Sequence, residues 1–281
     1  MAYFNIQQKI HYTLRLAVAM CFIGHGAFGI ITKPIWCNYF AVFGIGHDLA
    51  YRLMPLVGSF DIMMGILMLV YPMRVIPLWL IIWGAVTASL RPLSGEPFAE
   101  FIERAGNFGA PLAFLILSGG LGKNIRNIFI PVNANVEINH KTFNEVLTCL
   151  KIITFLLLAG HGWLNIMEKK NLINQYTALG FSNAGKTAVT IGVAEIVAAF
   201  AVLIRPYRPM IFVIFIWKMM SELLYPHYEL FEWIERGGSY GVLLALWYAL
   251  DSKATFKFKN AESLHQSFTS TRPTSPLPNS I

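Results

Sequence analysis

Charged residues are scarce in this chain of 281 residues, where Asp, Glu, Lys and Arg together make up 13% of the sequence. A typical soluble domain contains about 25%. Hydrophobic residues reach 56%, and the mean hydropathy is +0.54. Because a surface so poor in charge would not stay dispersed in water, the composition excludes an ordinary soluble protein and predicts an integral membrane protein.

The sequence also lacks several familiar binding and catalytic motifs. Cys21, Cys37 and Cys149 are too few and too scattered for a disulfide framework or a CxxC site. No GxGxxG follows a predicted strand, and there is no P-loop, HExxH or GxSxG. Basic clusters with interleaved aromatics are missing too, so the net charge of +7 indicates loops that face anionic lipid rather than nucleic acid.

The chain does contain an internal repeat. Residues 24–30 (GHGAFGI) return as 160–166 (GHGWLNI), and residues 102–106 (IERAG) return as 234–238 (IERGG). The first two segments are 136 residues apart and the second two are 132 apart. We conclude that one unit was duplicated, so the two halves are expected to share a fold.

Eight apolar runs are candidate transmembrane helices, because about 20 residues cross the hydrocarbon core. Four fall in each half, and this even number gives both halves the same orientation. The predicted fold is therefore all-α, a polytopic membrane protein with about eight transmembrane helices in two tandem parallel four-helix bundles. The predicted spans are 14–31, 53–71, 74–90, 106–122, 146–166, 187–204, 208–225 and 238–250. The predicted domains are a first repeat (1–122), a cytoplasmic linker (123–145), a second repeat (146–251) and a disordered tail (252–281).

The distribution of Lys and Arg predicts the topology. These residues are in excess in the segments that face the cytoplasm if both termini are cytoplasmic, and we expect a bacterial inner membrane. The apolar run after Lys9 and Arg15 is also typical of a signal peptide. We predict that it is a helix of the protein, because it matches the run at 146–166. The aromatic segment 32–52 is predicted to lie along the outer interface.

Two pairs of ionisable residues recur at buried depth. Asp61 in the second predicted helix has Glu195 as its counterpart, and His25 has His161. A charge in hydrocarbon costs about 2.5–3.5 kcal/mol, so each group needs a partner or a wet cavity. We predict His25 beside Asp61 and His161 beside Glu195. Such pairs can hold helices together, handle a proton or contact a quinone, or ligate a metal or haem, although no recognised zinc or haem spacing is present.

Three arginines form a further candidate set at the outer ends of the predicted helices. Arg91, Arg104 and Arg236 either recognise a lipid headgroup or small anion, or form interfacial ion pairs beside a helix end.

The second half differs from the first in one charge pair. Lys218 and Glu222 are one turn apart, and Lys218 is expected to reach Glu195. As a hypothesis, the second half therefore holds the more polar cavity. The predicted ligand-binding set is His25, Asp61, Arg91, Arg104, His161, Glu195, Lys218, Glu222 and Arg236, with no catalytic residue assigned and no metal site.

The first half has a glycine-rich first helix (22–29) and an acidic second helix that contains Asp61-x-x-x-Gly65, whereas Ala199 stands at the matching position after Glu195. By these features and its four-helix size, each half resembles the DoxX-like family of membrane proteins. Members of that family include a subunit of a thiosulfate:quinone oxidoreductase. The resemblance implies a quinone-linked or accessory membrane role and marks Asp61 and Glu195 as its acidic positions.

Several functions remain open. The first hypothesis is an accessory, non-catalytic subunit of a membrane redox complex, with pockets that contact a quinone or a lipid. Alternatives are a transporter of a small solute or proton, a standalone membrane oxidoreductase, and a structural or assembly protein without chemistry. The expected partners are the lipid bilayer and other membrane-protein subunits. The sequence assigns no cofactor, although it favours a quinone over a haem.

Overall fold

The computed structural model describes residues 4–122, 125–135, 137–224 and 230–251, and this part of the chain is helical throughout, apart from turns and one isolated β-bridge. The helices of the first half are α1 (Ile6–Ile30), α2 (Trp36–Ala41), α3 (His47–Val70), α4 (Val75–Leu93), α5 (Phe98–Glu103) and α6 (Ala105–Leu117). Those of the second half are α7 (His140–Ile166), α8 (Lys170–Ala178), α9 (Ala184–Ile204), α10 (Arg208–Leu223), α11 (Leu230–Glu235) and α12 (237–251).

Five of the described helices are long and apolar enough to cross a membrane, namely α1, α3, α4, α7 and α9. The other predicted spans, at 106–122, 208–225 and 238–250, fall on α6, α10 and α12. Helices α6 and α10 contain 13 and 16 residues, fewer than the roughly 20 that a span needs. Helix α6 is short because the helical conformation is interrupted at Arg104, which separates α6 from α5.

Two predicted boundaries shift for a physical reason. Helix α1 begins at Ile6, before the apolar run, because Asn5 and Gln8 form a capping box around its polar first turn. Helix α7 begins at His140, inside the predicted linker, where Asn139 accepts a hydrogen bond from the Thr142 amide. The predicted tail at 252–281 lies outside the described residues.

The core lies between α1 and α7, while the other long helices present apolar side chains outward. Leu14 of α1, Phe114 of α6 and Leu150 of α7 are fully buried in one cluster. By contrast, Val70 of α3 and Ile204 of α9 are more than two-thirds exposed, at 72% and 77%. Exposed apolar faces of this kind fit a lipid environment rather than water, which supports an integral membrane protein.

The two halves interlock through their short helices. Helix α11 packs on α1, and α5 packs on α7. A Cβ atom on Gly24 would lie 2.3 Å from the backbone nitrogen of Glu235, and one on Gly160 would lie 2.3 Å from that of Glu103. The glycines therefore permit backbone contact between the halves, and each half packs a short helix on the first long helix of the other.

Candidate functional site

His25 and Asp61 form the centre of the first site. The Nδ1 atom of His25 lies 2.8 Å from Oδ2 of Asp61, and Trp83 donates its Nε1–H to the other carboxylate oxygen at 2.8 Å. Asp61 is fully buried. The Trp36 ring lies 4.8 Å from the imidazole ring, centroid to centroid. The predicted pairing of His25 with Asp61 is confirmed, and the carboxylate is satisfied at both oxygens.

Glycines bring these two residues together. Helices α1 and α3 cross closely, because a Cβ on Gly58 would lie only 2.4 Å from the carbonyl oxygen of Gly26. Small residues at such a crossing let two backbones approach. Asp61 follows Gly58 by about one turn, so it projects toward the same neighbour helix and meets His25.

A partly open cavity of about 120 Å³ lies against His25. Its wall combines aromatic rings from α2 with polar groups from α4, α6 and α11. The predicted interfacial segment 32–52 contributes this aromatic side through α2. The lining includes Phe28, Trp36, Tyr39, Phe40, Trp83, Arg91, Arg104, Asn107, Glu232 and Glu235.

His161 and Glu195 meet in the same way in the second half, but their surroundings are filled. The Nδ1 atom of His161 lies 2.6 Å from Oε2 of Glu195, which confirms the predicted pairing. Asn165 donates to the same carboxylate oxygen at 3.3 Å and accepts the Tyr176 hydroxyl at 2.8 Å. Asn165 occupies the position of Gly29 in the first half, so side chains of α7 and α8 saturate this site.

The hypothesis of a more polar cavity in the second half is not supported by the described residues. Its polar groups bond mainly to one another, and the cavity lies beside His25 in the first half instead. One reason is that Asn165 of α7 fills space beside His161 where the first half has Gly29.

Lys218 reaches Glu195 as predicted, with 3.9 Å between Nζ and Oε1. Both atoms are buried, and neither makes a hydrogen bond within the described residues. The alternative, an ion pair between Lys218 and Glu222 one turn apart on α10, is not among the ion pairs of the described residues. Glu222 instead lies 3.8 Å from Nε of Arg236, because the ammonium of Lys218 is directed at Glu195.

The candidate arginines lie in a buried network of ion pairs. Arg104 contacts Glu100 at 2.5 Å and Glu103 at 3.0 Å, and Arg236 contacts Glu103 at 2.8 Å. Arg91 lies 3.1 Å from Glu96. The geometry therefore favours the ion-pair interpretation over a free anion site for Arg104 and Arg236.

The network sets the electrostatics of Glu100. Glu100 is 1% exposed, and both the Arg104 guanidinium and the Lys169 ammonium contact its carboxylate. Glu100 therefore ties α5 to Lys169 at the start of α8.

Sequence reasoning missed three groups of this site. The sequence identified Trp36 and Trp83 only as aromatic residues of a membrane protein, although Trp83 has a repeat counterpart in Trp217. Glu235 was visible as the counterpart of Glu103, but nothing local showed that it faces His25 across the interface between the halves.

No protein-family model, no curated protein and no solved structure matches this chain. The resemblance to DoxX-like proteins therefore stays a prediction.

Proposed function

We propose that the chain is a membrane protein of two repeated halves, each with four membrane-spanning segments. The order of long and short helices in α1–α6 occurs again in α7–α12, which supports the duplication. Helices α5 and α6 together cover residues 98–117, and α11 and α12 cover 230–251, so each pair is long enough to cross the hydrocarbon. With eight spans, both termini lie on one side, and the excess of Lys and Arg in the segments on that side makes it the cytoplasmic one.

In this protein the cavity at His25 binds the headgroup of a membrane quinone. The observation that carries this function is an imidazole fixed by Asp61, lying against the Trp36 ring, beside a cavity of about 120 Å³. A cavity of about 150 Å³ is known to admit a benzene ring, so the space suits one six-membered ring. The opening leaves room for an isoprenoid tail toward the lipid.

The individual residues have distinct roles in that pocket. Asp61 and Trp83 orient His25, whose Nε2 atom remains for the ligand. Trp36 and Phe40 supply the aromatic wall. Because the sequence carries no dinucleotide-binding motif, we assign electron transfer to a partner subunit and place this chain as the quinone-contacting accessory subunit of a membrane redox complex.

Quenching of tryptophan fluorescence tests this function. A short-tailed ubiquinone analogue, titrated into the detergent-solubilised protein, should quench saturably, because Trp36 and Trp83 line the cavity. His25→Gln should weaken binding by about tenfold or more, since it removes the fixed imidazole. The matched variant His161→Gln should retain the native affinity, because that site is filled by Asn165 and Tyr176.

Equal binding by native protein and His25→Gln would refute the quinone pocket. Proton or solute uptake by proteoliposomes that Asp61→Asn abolishes would instead support a transporter. Thermal melting of each variant separates a lost pocket from a lost fold.

A further inference from the structure

A long groove runs along the surface between α6 and α7, where the two halves meet. Its volume is about 930 Å³, and it is open to the surface. It shares no lining residue with the cavity at His25. Leu112, Ile152 and Leu156 belong to its wall, which is mainly apolar. The groove is therefore a second candidate binding site, separate from the first.

This groove has a polar end and an apolar body. Lys141 and Glu145 line it in the first two turns of α7, whereas Ile152 and Leu156 line it further along the same helix. Glu145 and Leu156 are eleven positions apart, which is about 16 Å along a helix. One leaflet is half of the hydrocarbon core, so it is about 15 Å thick. The apolar body therefore matches the depth of one leaflet, and the polar end lies at the level of the headgroups.

The two charges at the polar end have opposite signs and lie one turn apart. Lys141 and Glu145 are both exposed, and within the described residues neither makes an ion pair or a hydrogen bond. Beside them, Asn144 is bonded to His140, with 2.9 Å between Nδ2 and Nδ1. The groove thus offers one cation and one anion to a ligand that carries both charges.

The contact between α6 and α7 has a counterpart in the contact between α12 and α1. A Cβ on Gly109 would meet Ile153, and a Cβ on Gly241 would meet Ala17. The two glycines are 132 residues apart, and Ile153 and Ala17 are 136 apart, which are the separations found elsewhere in the repeat. The two surfaces can therefore be compared position by position.

Aromatic side chains occupy the first surface at positions where the second has the groove. Tyr12 corresponds to Thr148, and Tyr248 corresponds to Ile116. The Tyr12 ring packs on Phe4, with 5.1 Å between ring centroids. Thr148 and Ile116 both line the groove. Smaller side chains on the second surface thus leave the space that the groove occupies.

We propose that this groove binds a phospholipid with an ethanolamine headgroup, whose acyl chain lies against Leu112, Ile152 and Leu156. The lipid phosphate pairs with the Lys141 ammonium, and the lipid ammonium pairs with the Glu145 carboxylate. A glycerol headgroup would satisfy Lys141 but leave its net negative charge beside Glu145. A choline headgroup has no N–H to donate to Glu145. This site does not depend on the proposed quinone function.

Native mass spectrometry of the full-length, delipidated protein tests the headgroup. The probes are phospholipids with identical acyl chains and an ethanolamine, choline or glycerol headgroup. The first ethanolamine lipid should bind with a Kd about tenfold or more below that of the glycerol lipid. Glu145→Gln should bring these two affinities together, because it removes the negative charge. Glu168→Gln, an exposed acid that does not line the groove, is the control.

Thr148→Tyr tests the groove itself. This change gives the second half the residue that the first half has at that position, so it should fill the groove and abolish the tight binding of the ethanolamine lipid. Ile152→Trp fills the same groove from another exposed position and repeats the test. Thr190→Tyr, at an exposed position of α9 outside the groove, is the control and should bind as the native protein does.

Two results would overturn the proposal. Equal affinity for the three headgroups, or tighter binding of the glycerol lipid, would refute the pairing with Lys141 and Glu145. Native binding by both filling variants, in proteins that melt cooperatively, would refute the groove as the site. Binding of the ubiquinone analogue at His25 should be the same in all these variants, so neither result bears on the quinone function.

Discussion

At the scale of the residue, the stability of the first site depends on the two groups that contact the Asp61 carboxylate. Asp61 is fully buried, and its two oxygens are taken by His25 and Trp83. If either donor is lost, a buried carboxylate oxygen has no partner, and that costs more than the hydrogen bond itself contributes. The orientation of His25 in α1 therefore depends, through Asp61 of α3, on Trp83 of α4.

Trp83→Phe should lower the free energy of unfolding by about 1.5–3 kcal/mol, the range for a hydrogen bond to a charged group. The substitution also removes part of the indole ring, so the loss from the Nε1–H donor is read against a control that loses the same atoms. Trp79→Phe is the matched control, because Trp79 stacks on Trp83 at 6.1 Å but is 38% exposed. Urea unfolding in detergent measures both, and equal losses would contradict a special role for the donor.

At the scale of elements, the closeness of two helices creates the site. Helices α1 and α3 touch backbone to backbone at Gly26 and Gly58. The sequence predicts this approach, because a glycine precedes the acid in each half. The sequence places the start of the fourth span at 106, just after Glu103 and Arg104, and α6 begins at Ala105, but it does not predict the short helix α5 before that break.

Gly58→Ala should destabilise the protein by about 1–3 kcal/mol, because the added methyl would lie 2.4 Å from the Gly26 carbonyl oxygen and force the helices apart. The change should also weaken quinone binding, since it moves Asp61 away from His25. Gly46→Ala is the control, because nothing lies within 4 Å of a Cβ at that position. Thermal melting and fluorescence titration measure the two effects. An unchanged melting temperature for Gly58→Ala would refute the tight crossing.

At the scale of the whole molecule, ion pairs join the two halves. Arg236 of the second half contacts Glu103 of the first at 2.8 Å, and Lys169 contacts Glu100. Both carboxylates are nearly fully buried, at 4% and 1% exposed. Pairs removed from water in this way depend on every partner being present.

Arg236→Ala should lower the free energy of unfolding by about 3 kcal/mol, at the low end for a broken buried pair because Arg104 still contacts Glu103. Arg208→Ala should cost less than about 1 kcal/mol, since its pair with Asp251 is largely exposed. Chemical unfolding in detergent compares the two. Similar losses for the two variants would show that the contact between Arg236 and Glu103 contributes little to the free energy of unfolding.

The sequence predicts which residues pair within each half, because a repeated histidine and a repeated acid at one depth have few other partners. The pairing of His161 with Glu195 follows from this, and so does the reach of Lys218. The position of the cavity does not follow, because it depends on how α11 lies across α1. That contact joins residues more than 200 positions apart, and a periodic pattern carries no information about it.

The reciprocal placement of α5 on α7 and α11 on α1 has a consequence for the history of the molecule. A self-complementary patch of this form is what a two-fold symmetric homodimer uses. An ancestor with one copy of the unit would have formed a homodimer. In it, the short helix that corresponds to α5 and α11 would pack on the first long helix of the second chain, and the reverse. Fusion of two such copies would free the halves to diverge, which is consistent with a cavity beside His25 and with the filling of the second site by Asn165 and Tyr176.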